Sequence, residues 1–284
     1  MGQRLERVML MGAAACVAVA LATAKAPAAL VAQYTFDESA GPTLNDNVGS
    51  AHGTASDVTF VPSTAGAPGS NGFGNAGSFA GSATSNVAFG TAAHPESFDL
   101  GTGSFTISGW LKTPTNFENF DRPIFQSTNF SGGGWSFEVG RADRTRRGKV
   151  YFTVGGGTAT DFGNTQAFSD ARLDNDAWHW VAAVNDGGAI SLYVDGVKQI
   201  DTGAMQPTSS ASAPAATEAF FGRFGATLHY GGQLDDWRIY NHALNESELL
   251  SVWQANVPEP AAACSFVAGV AALLRRRRRR KANG

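Results

Sequence analysis

Between Trp178 and Asp201 the chain alternates apolar and polar side chains with period two. Trp178, Trp180, Ala182 and Val184 share one side. Asn185-Asp186-Gly187-Gly188 then reads as a turn. Ile190, Leu192 and Val194 alternate with Ser191, Tyr193 and Asp195, and Asp195-Gly196 is a second turn signal before Val197 to Asp201. Strict alternation broken by Gly-Gly and Asp-Gly predicts a three-strand antiparallel meander. Residues 104–113 predict another strand, with Phe105, Ile107 and Leu111 on one face and Trp110 on the other.

The same reading places strands at 31–37, 78–79, 86–89, 123–127, 135–140, 149–154, 219–224 and 232–240. Residues 38–54, 63–78, 90–103, 164–176 and 202–217 read as loops, from their Gly, Pro, Asn, Asp and Ser content. In 232–240, alternation puts Leu234, Asp236, Arg238 and Tyr240 on one face and Asp235, Trp237 and Ile239 on the other. One helix is predicted, running to about Trp253. Asn245 is its N-cap, Glu248 completes a capping box, and Leu244 and Leu249 form a hydrophobic staple. Twelve to fourteen short strands with one terminal helix predict an all-β, two-sheet antiparallel sandwich. No fixed-period repeat points to a propeller or solenoid.

Composition sharpens this picture at the ends. Arg4 and Arg7 precede an apolar run from Val8 to Ala24. Small-residue cleavage patterns follow at Ala22-Thr23-Ala24, at Ala24-Lys25-Ala26 and at Val31-Ala32. Residues 1–32 therefore read as a secretory signal peptide. At the other end Pro258-Glu259-Pro260 precedes a 14-residue apolar run, Ala261 to Leu274, and then Arg275 to Arg280 and Lys281. The run is shorter than the roughly 20 residues of a bilayer-spanning helix, and the arginines would stay on the cytoplasmic side. These three parts, over residues 257–284, resemble the PEP-CTERM sorting signal of bacterial envelope proteins. The resemblance implies transient membrane insertion, recognition by an exosortase, and removal of the tail. It also implies delivery to the outer surface or extracellular matrix of a Gram-negative-type bacterium. Signal peptidase would act at the first end.

The whole chain carries a net charge of −3. Residues 1–32 hold three basic and one acidic side chain, and residues 258–284 hold seven and one. The body between them keeps 11 basic against 22 acidic. An acidic body argues against nucleic acid, whose phosphates need a basic surface. Cys16 and Cys264 both lie in the end segments. The body therefore has no disulfide and relies on core burial, with a metal ion as another possible staple.

Five motifs, in this order, carry a second resemblance. They are Tyr34-Thr35-Phe36-Asp37-Glu38, Ser104-Phe105-Thr106-Ile107-Ser108-Gly109-Trp110, Trp178-His179-Trp180-Val181-Ala182, Leu192-Tyr193-Val194-Asp195-Gly196, and the run from Gly232 to Leu244. Residues 33–256 resemble a LamG-like jellyroll of the concanavalin A-like lectin/glucanase group. The inferred inward face of Asp235 makes it the leading site candidate, because a buried carboxylate needs a cation or several donors. The resemblance implies a calcium near this strand, with Asp37, Asp46 and the backbone at Gly53 on offer as further ligands. The alternative is that Asp235 pairs an arginine or caps a loop. Trp110, Trp135 and Tyr230 are candidate platforms for a sugar ring, with core or edge packing as the alternative.

The Glu-x-Asp-x-x-Glu strand of the glucanases does not occur, and neither does Gly-x-Ser-x-Gly or His-Glu-x-x-His. The five histidines are scattered without metal-ligand spacing. The sequence thus predicts a non-enzymatic exported module that binds a glycan or extracellular-matrix polymer. A structural or adhesive matrix protein that binds other proteins is the first alternative, and a glycoside hydrolase with unrecognised carboxylates the second.

Overall fold

The meander forms as the alternation requires. Trp178–Asn185 pairs antiparallel with Ala189–Val194, and that strand with Val197–Lys198. The computed structural model describes residues 29–65, 74–90, 95–115, 122–128, 133–140, 146–155, 166–204 and 219–255. Most of the signal segment and the whole sorting signal, including Pro258, Glu259 and Pro260, lie outside these residues.

Two antiparallel sheets face each other. The first runs Val197–Lys198, Ala189–Val194, Trp178–Asn185, Phe105–Lys112, Gly231–Tyr240, Asn75–Ala80 and Val58–Pro62. Leu30–Tyr34 joins the far half of Gly231–Tyr240, and Gly203–Ala204 joins Ala189–Val194. The second sheet runs Gln166–Phe168, Val150–Val154, Gly134–Val139, Arg122–Thr128, Ala219–Phe221, Asn86–Phe89, Gly53–Ser56 and Thr43–Leu44. A small hairpin pairs Arg223–Phe224 with Leu228–His229. The result is the two-sheet jellyroll sandwich that the sequence predicts.

Apolar faces meet between the sheets. Phe105, Ile107, Leu111, Val181, Ala183, Ile190, Leu192 and Val194 come from the first sheet, and Phe125, Trp135, Phe137, Phe152 and Phe221 from the second. Phe125 is the hub. It stacks on Phe221 at 3.9 Å between ring centroids and meets Trp135 edge-on at 4.8 Å. Such pairs add roughly 0.5–1.5 kcal/mol beyond the area they bury. The outer face of the first sheet is apolar too. Trp110 lies opposite Trp180 in register, and both cluster with Ala182, Val184, Tyr193 and Tyr240. The C-terminal helix Glu246–Gln254 packs on this face through Leu249, and Leu244 joins the same cluster. Its start is fixed by the predicted capping box. Asn245 accepts from the Ser247 and Glu248 amides, while the Glu248 side chain accepts from the Asn245 amide.

Three sequence expectations change. First, the strict alternation over 234–240 breaks at a bulge between Asp235 and Arg238. Asp236 there takes a φ of +43°. Two residues on this strand face one, Gly109, on its neighbour, which shifts the phase of every side chain beyond. Leu234, Trp237 and Ile239 therefore all enter the core between the sheets. Asp235, opposite Trp110 in register, lies on the outer face instead. A Cβ at Gly109 would overlap the Trp237 indole, so glycine is what lets the bulged tryptophan in. Second, the stretch 38–54 holds two short paired strands, Thr43–Leu44 and Gly53–Ser56. Third, Leu30–Tyr34 is a strand whose Leu30 and Ala32 pair with Tyr240 and Ile239. The cleavage patterns ending at Ala24 and Ala26 leave this strand whole, whereas a cut after Ala32 would divide it.

Candidate functional site

Asp235 is fully buried on the outer face of the first sheet. Its Oδ2 accepts from Ser63 Oγ, which itself accepts from the Ala65 amide at 3.1 Å. Its Oδ1 is buried and makes no hydrogen bond. Burial is the main force pushing this carboxyl up to about 8. The Ser63 hydroxyl opposes that shift, while the charges of Asp236 and Asp37 add to it. Asp236, next along, is neutralised by Arg238 at 2.8 Å and accepts from Gln33 Nε2. Two adjacent carboxylates thus have different fates. One is an ion pair and the other is a carboxyl with an oxygen to spare.

The other proposed calcium ligands stand apart from this group in chemistry. Asp46 is buried, and its carboxylate organises the loop 46–51. Oδ1 accepts from the amides of Gln33 at 3.0 Å, Val48 at 3.0 Å and Gly49 at 2.9 Å. Oδ2 accepts from the Ala51 amide at 3.2 Å. The Ala51 carbonyl in turn accepts from the Tyr34 hydroxyl, whose pKa is raised by burial and then by the Asp46 charge. Gly53 sits in a strand where a Cβ would overlap Val87, so close packing accounts for its lack of a side chain. Asp37 is exposed and accepts from the Asn75 amide at 2.9 Å. Among the described residues, no three His, Cys, Asp or Glu side chains gather into a metal-binding group. Asp235, Asp37 and Asp46 are therefore not one carboxylate cluster.

The three candidate sugar platforms are core residues, so the packing alternative holds for them and the platform role does not. Trp110 and Trp135 are each 1% exposed and Tyr230 is 0% exposed. Trp110 lies against Trp180 under the helix. Trp135 packs on Phe125 and Phe98 and donates to the Phe98 carbonyl at 3.0 Å. The Tyr230 hydroxyl donates to the Lys112 carbonyl at 3.1 Å. No face of these rings is open to a sugar. Burial is a tertiary property, and the local pattern around a tryptophan does not carry it.

Comparison with known proteins fits this fold. The family described as concanavalin A-like lectin/glucanases superfamily (Laminin_G_3) matches residues 82–250. Among curated proteins no sequence matches. Among solved structures, the binding domain of Paraclostridial Mosquitocidal Protein 1 is similar with a TM-score of 0.57 and 16% identity, over 80% of this chain and 52% of that one. Domain 4 of AbnA, a GH43 extracellular arabinanase from Geobacillus stearothermophilus solved with arabinotriose, is similar with a TM-score of 0.53 and 16% identity. That match covers 80% of this chain and 99% of the domain. The Botulinum neurotoxin serotype D ligand binding domain, solved with N-acetylneuraminic acid, gives 0.54 and 16%, over 80% of this chain and 50% of that one. The chain spans about half the length of the two toxin domains, and identities this low speak for the fold alone. The family match covers more than half of the sequence, in the order of motifs and the sheet topology described above, and the chain belongs to the concanavalin A-like lectin/glucanases superfamily.

Proposed function

We propose that this chain is an exported, non-catalytic module that binds carbohydrate at the cell surface or in the extracellular matrix. The observation that carries the reading is the likeness, over 80% of the chain, to domain 4 of an extracellular arabinanase solved with arabinotriose and to a neurotoxin ligand binding domain solved with N-acetylneuraminic acid. The acidic body and the absence of the glucanase carboxylate motif are consistent with binding without turnover. Export and sorting rest on the two terminal segments, with the N-terminal cut at the pattern ending at Ala24 or Ala26, so that the strand Leu30–Tyr34 stays whole.

A structural calcium is part of the proposal. The orphaned Oδ1 of Asp235 fits a hard cation, the Ser63 hydroxyl lies beside this carboxyl, and Asp37 is the further carboxylate that the resemblance offers. Asp46 is excluded from the set, because both of its oxygens already serve backbone amides. A bound calcium would hold Asp235 ionised and fasten the segment at Ser63 to the outer face of the sheet.

The test is a glycan array probed with the full-length protein, once in calcium and once in chelator, with circular dichroism of both samples. Retention of a defined sugar class without hydrolysis supports the reading. A folded protein that retains no glycan in either condition refutes it and favours a protein-binding matrix role. Loss of binding in chelator, with the fold intact, places calcium in the binding site rather than in the scaffold.

A further inference from the structure

With the aromatic candidates closed in the core, a ligand needs another opening. A half-open cavity of about 360 Å³ lies at one end of the sandwich, at the small end of the roughly 300–1,000 Å³ of small-molecule sites. One wall is the turn Glu96–Phe98 and the residues that follow it. The other is Asn241 and His242, just past the long strand Gly231–Tyr240. Val31, Leu100 and Phe105 supply the apolar lining.

Both walls are fastened from behind. Phe98 is buried, contacts Tyr34, Phe89, Phe125 and Trp135, and has its carbonyl capped by the Trp135 indole. The turn closes on itself through Phe98 N to Pro95 O at 2.9 Å and Asp99 N to Glu96 O at 3.0 Å. Thr106 Oγ1 donates to the His242 carbonyl at 2.9 Å. The Asn241 side-chain oxygen accepts from the Ala29 amide at 3.2 Å, and the Asn241 amide donates to the Ala29 carbonyl. Asn185 Nδ2 holds the Gly103 carbonyl at 2.8 Å. Walls held this way lose little freedom on binding.

The chemistry of the lining is one-sided. Glu96 and Asp99 stand three residues apart on a turn of three residues, which sets them on the same side. Ser97 Oγ, between them in sequence, is buried and makes no hydrogen bond. Asn241 has its oxygen occupied, which leaves its Nδ2 group to donate into the cavity. Among the described residues, no lysine or arginine lines the space. Carboxylates accept strong, charge-assisted hydrogen bonds from hydroxyl pairs. They repel an anionic ligand held close to them.

We propose that this cavity is the sugar site of the protein, and that Glu96 and Asp99 restrict it to neutral sugars. This rests on the reading of the chain as a carbohydrate-binding module. One ring of a neutral oligosaccharide sits over Val31 and Leu100. Its hydroxyls donate to Glu96 and Asp99, and Asn241 donates to a sugar oxygen. Uronate and sialate residues are excluded by charge. The serotype D toxin domain, by contrast, was solved with an acidic sugar.

The experiment is calorimetric titration of the full-length protein with arabinotriose, cellotriose, galactotriose, trigalacturonate and sialyllactose. Glu96→Gln, Asp99→Asn and the double variant are compared with Asp201→Asn, an exposed control elsewhere. Glu96 and Asp99 are exposed, so the variants keep the wild-type melting profile. The expected result is binding of at least one neutral trisaccharide and of neither acidic one. The double variant weakens that binding about tenfold or more, and Asp201→Asn leaves it unchanged. Neutral-sugar binding that stays within twofold in the double variant overturns the assignment of the cavity while leaving the binding module intact. Wild-type binding of an acidic sugar overturns the charge selection. No binding of any sugar, here and on the array, overturns the binding module itself and the cavity with it.

Discussion

Asp46 separates two accounts of the N-terminal loop, a cation site and a hydrogen-bonded hub. Its carboxylate accepts four backbone amides, three on Oδ1 and one on Oδ2, at 2.9–3.2 Å, and it is only 4% exposed. A hydrogen bond to a charged group is worth roughly 1.5–3 kcal/mol net, and neighbouring bonds are not additive. Asp46→Ala would strip the acceptor from all four amides. Val48, which is 47% exposed, can recover water for its own amide. The Gln33 amide lies beside the core residues Ala32 and Tyr34 and recovers it less readily. The expected loss is about 4 kcal/mol. Asp46→Asn keeps one oxygen but not the charge, and should cost about half as much. Urea unfolding at pH 7 measures both, in calcium and in chelator. The hub account requires the same loss in the two solutions. A loss that appears only in calcium would show Asp46 to be a metal ligand and refute the argument.

Further expectations follow from the same geometry. Asp235 has a folded-state pKa of about 8 against about 3.9 in the unfolded chain. The folded protein therefore holds the extra proton between these values, and its stabilising effect is complete below the lower one. In chelator, stability should fall as pH rises from 5 to 8, by about 1.4 kcal/mol per unit from this group. Asp235→Asn should lack that component, and equal slopes for the two proteins would contradict it. Gly109→Ala places a methyl group against the buried Trp237 ring and should cost about 3 kcal/mol in a urea melt. Asn245→Ala removes two accepted amides at the helix start and should cost about 1 kcal/mol, with Asn245→Asp near neutral.

Alternation made the meander and the strand Phe105–Lys112 legible, down to the opposite faces of Ile107 and Trp110. The helix start was equally plain, because a cap is a local hydrogen-bond pattern. Asp235 was legible as a buried carboxylate but not in its direction. A bulge shifts the phase at Asp236, and its cause, the space over Gly109, lies on another strand. The strand Gly53–Ser56 was hidden in a Gly- and Asn-rich stretch, because its pairing with Asn86–Phe89 supplies what local propensity does not. Glu96 and Asp99 gave no signal at all. They sit in an irregular stretch, 90–103, and gain meaning only once Phe98 is anchored in the core and Asn241 is brought opposite.

The most direct measurement is a crystal structure of the protein with the neutral oligosaccharide that ranks first on the glycan array. The account predicts an intact sugar with one ring in the cavity between Glu96, Asp99 and Asn241, and with Trp110, Trp135 and Tyr230 still enclosed. A sugar bound elsewhere with that cavity empty, or a cleaved product in its place, would contradict it.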